Sequence, residues 1–175
     1  MDLRKAILKE HSRAQCDAIV EYIGSDQKKF DQLIDLFLNS EYRVVQRAAW
    51  PMSYCAIAHP ALVKKHVKKL IGNLRNPGLH DSVKRNTVRF LQYIEVPPSL
   101  QGELMERCFS YLSEPNEAVA IKAFSLTILA GLAKKYPDII PELKYLIEEQ
   151  FPVQTAAFKN RARKIIRDLG IQTQL

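Results

Sequence analysis

The 175-residue sequence has little glycine and few segments that read as strands. It contains only 6 glycines, and most of its 9 prolines lie between helical patterns rather than within them. Few segments alternate apolar and polar residues with the period of two that a half-buried strand needs. These absences argue against a sheet and predict an all-α fold class.

Cysteine is also scarce, and metal-ligand spacings are missing. The three cysteines, Cys16, Cys55 and Cys108, lie far apart and form no C-x-x-C pair. An odd, scattered set argues against a disulfide framework or a zinc site, and the four histidines share no ligand spacing either. We therefore expect reduced core thiols, no metal and no cofactor.

The sequence has no long apolar run. The longest interior stretch without a charged residue, Ala123 to Ala133, is too short to span a bilayer. The first residues open an amphipathic helix rather than the apolar core of a signal peptide. These patterns predict a soluble, cytoplasmic protein with no membrane partner.

Catalytic motifs are missing as well. We find no G-x-S-x-G, Walker loop, H-E-x-x-H or glycine-rich dinucleotide turn. Adjacent carboxylates such as Glu148 and Glu149 lie on an acidic helix that reads as solvated. This pattern predicts a protein that is not an enzyme and has no catalytic residues.

Helical periodicity is abundant, and it is clearest between Pro60 and Pro97. In each half of this stretch, five residues fall at offsets 0, 4, 7, 8 and 11, the stripe of one helix face. The first set is Val63, Val67, Leu70, Ile71 and Leu74, and the second is Val83, Thr87, Phe90, Leu91 and Ile94. Because Asn76-Pro77-Gly78 separates the sets, each half predicts one helix of an αα-hairpin.

The hairpin repeats along the chain. The matching positions Val45, Val83, Val119 and Ala157 recur at intervals of 38, 36 and 38 residues. A period in this range, with proline at the joins, is typical of an α-solenoid. We predict a right-handed α-α superhelix of about five helical hairpins.

The predicted boundaries describe one repeat domain over residues 1–175. It comprises a capping hairpin at 1–25, repeats at 26–59, 60–97, 98–136 and 137–170, and a frayed tail at 171–175. Pro51 lies inside a predicted helix, and we expect a kink there because proline removes a backbone donor. The helix that begins near Val119 is apolar on nearly all sides, which predicts burial within the chain.

The stretch from Leu33 to Ala49 carries a family resemblance. Its leucine-rich first helix, short turn, and valine and alanine at the start of the second helix resemble the core of a HEAT repeat. The same frame extends over residues 26–169, so the chain is similar to small bacterial-type HEAT-repeat proteins of the armadillo-like α-solenoid class. It departs from the family where a basic residue usually follows the valine, since only Lys84 matches.

Positive charge is concentrated on the second helices of these repeats. Lys and Arg exceed Asp and Glu by 8 over the second helices and balance them over the first helices, within a net charge of +7. The HEAT resemblance implies that the second helices line a concave face. A positive concave face attracts anionic partners over about 8 Å at physiological salt.

The candidate binding residues on this face combine basic and aromatic side chains. They are Arg43, Arg47, Trp50 and Tyr54, then Lys84, Arg85 and Arg89, and finally Lys159, Arg161 and Arg163. Such a row suits phosphate contact and base stacking, and it suits an acidic protein segment equally. It also matches an ordinary solvated helix face.

These observations favour a non-enzymatic scaffold that recognises a protein or peptide partner through its concave surface. The alternative is nucleic-acid binding in a basic groove, with glycosylase-like activity third. The chain resembles the HEAT-like alkylpurine DNA glycosylases in its helical repeats and basic concavity, but those proteins are longer and group several aromatic residues around an aspartate. Trp50 is the sole tryptophan here, with no aspartate near it in sequence. The oligomeric state stays open.

Overall fold

The computed structural model describes all 175 residues and contains helices but no strands, which confirms the predicted all-α class. The α-helices are Leu3–Lys9 (α1), Arg13–Ile23 (α2), Gln27–Asn39 (α3), Tyr42–Ala58 (α4), Pro60–Val63 (α5), Val67–Asn73 (α6), Asp81–Leu91 (α7), Pro98–Ser113 (α8), Val119–Ala133 (α9), Ile140–Gln150 (α10) and Ala156–Asp168 (α11). Short 3₁₀ segments span Lys64–His66, Pro137–Ile139 and Phe151–Val153.

The helices pack as hairpins in two compact units. The N-terminal unit covers Met1–Val96 and contains α1 to α7, and the C-terminal unit covers Pro97–Leu175 and contains α8 to α11. No helix is both long and apolar enough to cross a membrane.

Polar side chains cap the starts of α2 and α3. The side chains of Ser12 and Asp26 accept hydrogen bonds from the backbone amides of Gln15 and Lys28 at 3.2 and 2.9 Å. These bonds satisfy amides that have no partner in the first turn of a helix. At the end of α2, Gly24 adopts φ +49°, a backbone conformation that glycine reaches without steric cost.

Helix α4 lies at the centre of the N-terminal unit. It packs against α1, α2, α3, α5 and α7, and its Ala48 and Ala49 are fully buried. Small side chains let neighbouring helices approach closely, while Phe30, Phe37 and Phe90 fill the core with no exposed area. Burying each such large side chain stabilises the fold by about 1.5–3 kcal/mol.

Pro51 lies inside α4, and the helix continues through it. α4 is continuous over its 17 residues, although Pro51 donates no backbone hydrogen bond. The hydroxyl of Ser53 lies 3.0 Å from the carbonyl oxygen of Trp50 in the same turn. The helix is therefore not broken at Pro51, and the kink stays a prediction.

The prediction of one unbroken helix over residues 60–75 is wrong. The structure has α5, a 3₁₀ segment and α6 in its place. The carbonyl of Leu62, which would accept from His66 in an α-helix, instead accepts from the Gln27 side chain at 3.0 Å. Lys65 Nζ and His66 Nε2 both contact the carboxylate of Asp31 on α3, at 2.6 and 2.7 Å.

The C-terminal unit buries α9 among its own helices. Ile121 and Ile128, on the side of α9 opposite its main apolar stripe, are 0% and 7% exposed. This confirms the predicted burial within the chain. After α11, the backbone amide of Ile171 donates a hydrogen bond to the carbonyl of Ile166 at 2.9 Å. The Thr173 hydroxyl donates to the Glu148 carboxylate at 2.7 Å.

The three cysteines are buried, free thiols, as the sequence predicts. Burial disfavours the charged thiolate, so it raises the pKa of Cys16 to about 11 and the pKa of Cys55 to about 12. The pKa of Cys108 is raised to about 12 for the same reason. Such thiols are unreactive packing groups near neutral pH.

Candidate binding surface

The N-terminal unit carries a surface that we call the basic–aromatic face. Helices α2, α4 and α7 supply its side chains, which are Arg13, Arg43, Arg47, Trp50, Tyr54, Arg85 and Arg89. Because α4 packs on α2 and α7, its Tyr54 side chain lies between Arg13 of α2 and Arg89 of α7.

Buried polar contacts hold α4 and α7 parallel and in register. Near the helix starts, Gln46 Nε2 lies 3.2 Å from His80 Nε2. About two turns later, the buried Ser53 hydroxyl donates to Asn86 Oδ1 at 3.0 Å. A buried side-chain bond of this kind fixes which residues of the two helices face each other.

Tyr54 holds two guanidinium groups. The Cζ atom of Arg89 lies 4.3 Å from the centre of the Tyr54 ring, and the Cζ atom of Arg13 lies 4.8 Å from it. Arg13 Nη1 also donates a hydrogen bond to the Tyr54 hydroxyl at 3.1 Å. Both distances are typical of cation–π contacts, so the ring fixes the positions of both arginines.

The same contacts act on the ionisation of Tyr54. Hydrogen bonding to Arg89 is the largest cause that lowers the pKa of the Tyr54 hydroxyl below its ordinary value of 10.0. The positive charges of Arg89 and Arg13 lower it further because they favour the phenolate, while partial burial acts in the opposite direction.

Arg13 is a member of this face that the sequence analysis missed. Its Nε atom lies 2.9 and 2.8 Å from the two carboxylate oxygens of Asp17, one turn later on α2. Hydrogen bonding to Asp17 raises the pKa of Arg13. The i, i+4 spacing of Arg13 and Asp17 is visible in the sequence, but it does not reveal that Tyr54 lies beside them.

Trp50 lies half-buried beside Tyr54. Its ring centroid lies 5.6 Å from that of His11 and 6.4 Å from that of Tyr54, both at an interplanar angle of 63°. The recess between Trp50, His11, Glu10 and neighbouring residues has a volume of about 10 Å³. That is room for about one water molecule.

Arg47 has a structural role on this face. Its Nη1 atom donates to the backbone carbonyl of Leu8 at 2.8 Å. Leu8 lies in the last turn of α1, where carbonyls have no partner within the helix. Arg47 therefore caps α1 and joins it to α4.

Arg43 and Arg85 differ from the other arginines of the face. Both are exposed, and neither forms a hydrogen bond, an ion pair or a ring contact. Lys84, beside Arg85 on α7, is engaged with Asp81 at 3.2 Å. The structure thus leaves Arg43 and Arg85 as the guanidinium groups that are available to a partner.

The three predicted residues of α11 form a separate cluster in the C-terminal unit. Arg161 Nη1 donates to the Ala123 carbonyl and to the Thr127 hydroxyl at 3.1 and 2.8 Å, so it bonds α11 to α9. The Cζ atom of Arg163 lies 4.9 Å from the ring centre of Phe151. Lys159 Nζ donates to the Pro152 carbonyl at 3.2 Å and lies 5.7 Å from the centre of the same ring.

Comparison with known families decides the classification. The family model described as HEAT repeat domain matches residues 3–169. The chain belongs to the HEAT-repeat family. HEAT repeats commonly act as protein-interaction scaffolds, and the family is generally non-enzymatic. Neither curated proteins nor solved structures gave a significant match to the chain.

Proposed function

We propose that this HEAT-repeat chain is a non-enzymatic module that binds a protein or peptide partner on its basic–aromatic face. One observation carries the proposal. Tyr54 holds the guanidinium groups of Arg13 and Arg89 in place, while Arg43 and Arg85 extend from the same two-helix scaffold without a partner. The part of this surface that Tyr54 already orders loses little conformational entropy when a partner binds, and Arg43 and Arg85 supply the unengaged charge.

The occupied ring of Tyr54 supports the protein partner over a nucleic acid. Base stacking requires an aromatic face that a base can cover, and two guanidinium groups already contact this ring. The carboxylates of Glu10 and Asp17 lie on the same part of the surface and repel a continuous row of phosphates. Nucleic-acid binding is therefore our second candidate.

The recess beside Trp50 argues against base excision. A flipped base needs a pocket that encloses it, and this recess has space for about one water molecule. The fold brings Asp17 to the same face, but Arg13 engages both of its carboxylate oxygens. These two features give no support to a glycosylase activity.

The compartment we propose is the cytoplasm. Cys16, Cys55 and Cys108 are all free thiols, and proteins with no disulfide are usual where glutathione and thioredoxin keep cysteine reduced.

Site-specific crosslinking tests the proposed function. A photo-crosslinking amino acid would replace Tyr42, an exposed residue beside Arg43, in one variant and Lys68, an exposed lysine of α6, in a control. We expect a discrete protein adduct from position 42 that is lost when Arg85→Glu is added, and no such adduct from position 68. Fluorescence anisotropy with labelled single- and double-stranded DNA and RNA forms the second arm. Micromolar nucleic-acid binding that weakens steeply with salt and disappears in Arg85→Glu, with no protein adduct, would favour the second candidate instead.

A further inference from the structure

The register of α4 and α7 pairs two aromatic residues with two arginines. Tyr54 and Arg89, which we call the Tyr54 pair, are in contact and lie 35 residues apart. The same offset from Trp50 leads to Arg85, one turn earlier on both helices, and we call these residues the Trp50 pair. Because parallel helices in register keep this offset, the register puts Arg85 at the level of Trp50, one turn before the level at which Arg89 contacts Tyr54.

The two pairs differ in whether the arginine is already engaged. In the Tyr54 pair, Arg89 covers the ring, and Arg13 contacts it as well. In the Trp50 pair, no guanidinium group lies over the indole, and Arg85 is exposed without a partner. The Trp50 pair therefore has the same two residue types at the same spacing as the Tyr54 pair, but without a guanidinium group over the ring.

The charge around the Trp50 pair is positive. The N-terminal unit has 16 Lys and Arg residues and 10 Asp and Glu residues. Arg43, the other arginine without a partner, lies seven residues before Trp50 on α4, which is about 10 Å along the helix axis. Because Arg85 is on the neighbouring helix, whose axis is about 8–10 Å away, the two arginines start about 14 Å apart. An extended peptide covers that distance in about four residues.

We propose that the Trp50 pair and Arg43 form a binding site for carboxylates of an acidic polypeptide segment. The planar guanidinium group of Arg85 binds one carboxylate through two parallel hydrogen bonds. The side-chain carbons of the acidic residue that carries this carboxylate pack on Trp50. A second carboxylate about four residues away binds Arg43. This assignment rests on the proposed function, since it names the chemical class of the partner at the same face.

Charge spacing separates an acidic peptide from a nucleic acid at this site. A single nucleic-acid strand carries one charge about every 3.4 Å, which places phosphates close to Glu10 and Asp17. A peptide with a few carboxylates can meet Arg43 and Arg85 and leave the acidic positions facing uncharged groups. The spacing of cations and anions on the face therefore favours the peptide.

Intrinsic fluorescence provides a direct test because Trp50 is the only tryptophan of the chain. The full-length protein would be titrated with a ten-residue glutamate peptide, and with glutamine, lysine and leucine-serine peptides of the same length, and with a thymidine oligonucleotide. We expect the glutamate peptide to change the emission of Trp50 saturably. The glutamine, lysine and leucine-serine peptides and the oligonucleotide should leave the emission unchanged.

Three variants assign the effect to the site. Arg85→Glu is expected to weaken glutamate-peptide binding about tenfold or more, and Arg85→Lys to weaken it less, because lysine keeps the charge and loses the two-bond geometry. Lys68→Glu makes the same charge change on an exposed helix of the same unit and should alter the affinity less than about twofold. Circular dichroism verifies that each variant keeps its helical content.

Each outcome decides one point. Equal losses in Lys68→Glu and Arg85→Glu would overturn the site, since net charge alone would then explain binding. If the neutral or basic peptide changes Trp50 emission and the glutamate peptide does not, the acidic partner is wrong while the proposed function stands. If only the oligonucleotide binds, the acidic-peptide site and the proposed function are both overturned. Glutamate-peptide binding without any change at Trp50 also refutes the site.

Discussion

The two units of this chain use their basic side chains differently. The N-terminal unit has an excess of 6 basic residues, and the arginines of its basic–aromatic face lie at the surface around Trp50 and Tyr54. The C-terminal unit has 10 basic and 9 acidic residues, and two of its cations, Lys122 and Arg161, hydrogen-bond to its own helices. The N-terminal unit thus leaves two exposed arginines, Arg43 and Arg85, without an internal partner, whereas the C-terminal unit uses Lys122 and Arg161 for bonds between its own helices.

Lys122 shows the internal use most clearly. It is 2% exposed, and its ammonium group donates to Gln150 Oε1 at 3.0 Å and lies 3.5 Å from the Pro115 carbonyl. Gln150 in turn donates to the carbonyl of Leu112. Lys122 therefore joins α9 to the end of α10 and to the turn that follows α8, although no carboxylate neutralises it within bonding distance.

The largest effect should come from truncating this lysine. Lys122→Ala removes the buried stem and leaves Gln150 and Pro115 without their donor, so we expect a loss of about 2–4 kcal/mol in the free energy of unfolding. Urea unfolding of the full chain measures it, and the exposed Lys135→Ala is the matched control, expected to change stability by less than about 0.5 kcal/mol. An unchanged Lys122→Ala midpoint would refute the contrast between the units.

Removing the ring that holds Arg13 and Arg89 should have a smaller effect. Each exposed cation–π contact contributes about 0.5–1 kcal/mol, so Tyr54→Leu should cost about 1–2 kcal/mol. Tyr54→Phe keeps the ring and should cost less. Because the pKa of Tyr54 lies below 10.0, Tyr54→Phe should also remove an early step from an ultraviolet titration of the tyrosines. A Phe variant as unstable as the Leu variant would mean that the hydroxyl, rather than the ring, dominates.

Acid should weaken the N-terminal unit through Asp31. Desolvation raises the pKa of this carboxyl, but hydrogen bonds from Lys65, Gln27 and His66 outweigh it and lower the pKa to about 2 from an ordinary value of 3.8. A depressed pKa stabilises the fold above the unfolded value and loses that contribution as pH falls through the folded value. Because the carboxylate is partly exposed, Asp31→Asn should cost only about 1 kcal/mol at neutral pH.

Urea midpoints at several pH values test the Asp31 expectation. The difference between the wild type and Asp31→Asn should shrink between pH 3.8 and about 2. Asp35→Asn, on the same helix and exposed, controls for the loss of one negative charge. A difference that persists unchanged at pH 2 would show that the carboxylate charge is not responsible.

The smallest expected effect is a change in stability at alkaline pH that arises from Lys122 in the C-terminal unit. Burial lowers the pKa of Lys122, so the folded state disfavours its charge. The wild type should therefore gain stability relative to Lys122→Met as pH rises toward 10.5, the ordinary value of lysine, because the unfolded chain binds more protons there. We expect a change below about 1 kcal/mol, measured by thermal unfolding, and a pH-independent difference would contradict it.

The sequence predicted the helices because helix periodicity depends only on residues that lie three or four positions apart. The first four members of the predicted stripe, Val83, Thr87, Phe90 and Leu91, marked α7 and its buried side, and the recurrence of that stripe identified the HEAT-repeat fold. The last member, Ile94, lies beyond the end of α7 and is half-buried. Long-range hydrogen bonds were outside the reach of this reasoning. Side chains of α3 bond to the residues at and beside the 3₁₀ segment, Gln27 to the Leu62 carbonyl and Asp31 to Lys65. Nothing in the stripe from Val63 to Leu74 indicates these contacts or the 3₁₀ segment.

The candidate site was predicted in part. The sequence placed Arg43, Arg47, Trp50 and Tyr54 on one face, since their spacing follows the helix period. It could not distinguish Arg47, which bonds to the backbone of α1, from Arg43, which bonds to nothing. That distinction depends on which helix lies opposite each residue, and a repeat period alone does not specify it.

The bond from Arg47 to the Leu8 carbonyl also limits how this protein can diverge. Substitutions at Arg43 or Arg85 break no bond within the molecule, because neither side chain has an internal partner. A substitution at Arg47 would also leave the end of α1 without its donor, so it requires a second change nearby. Among descendants of this chain, position 47 should therefore vary together with the α1–α2 turn, while positions 43 and 85 vary with the partner.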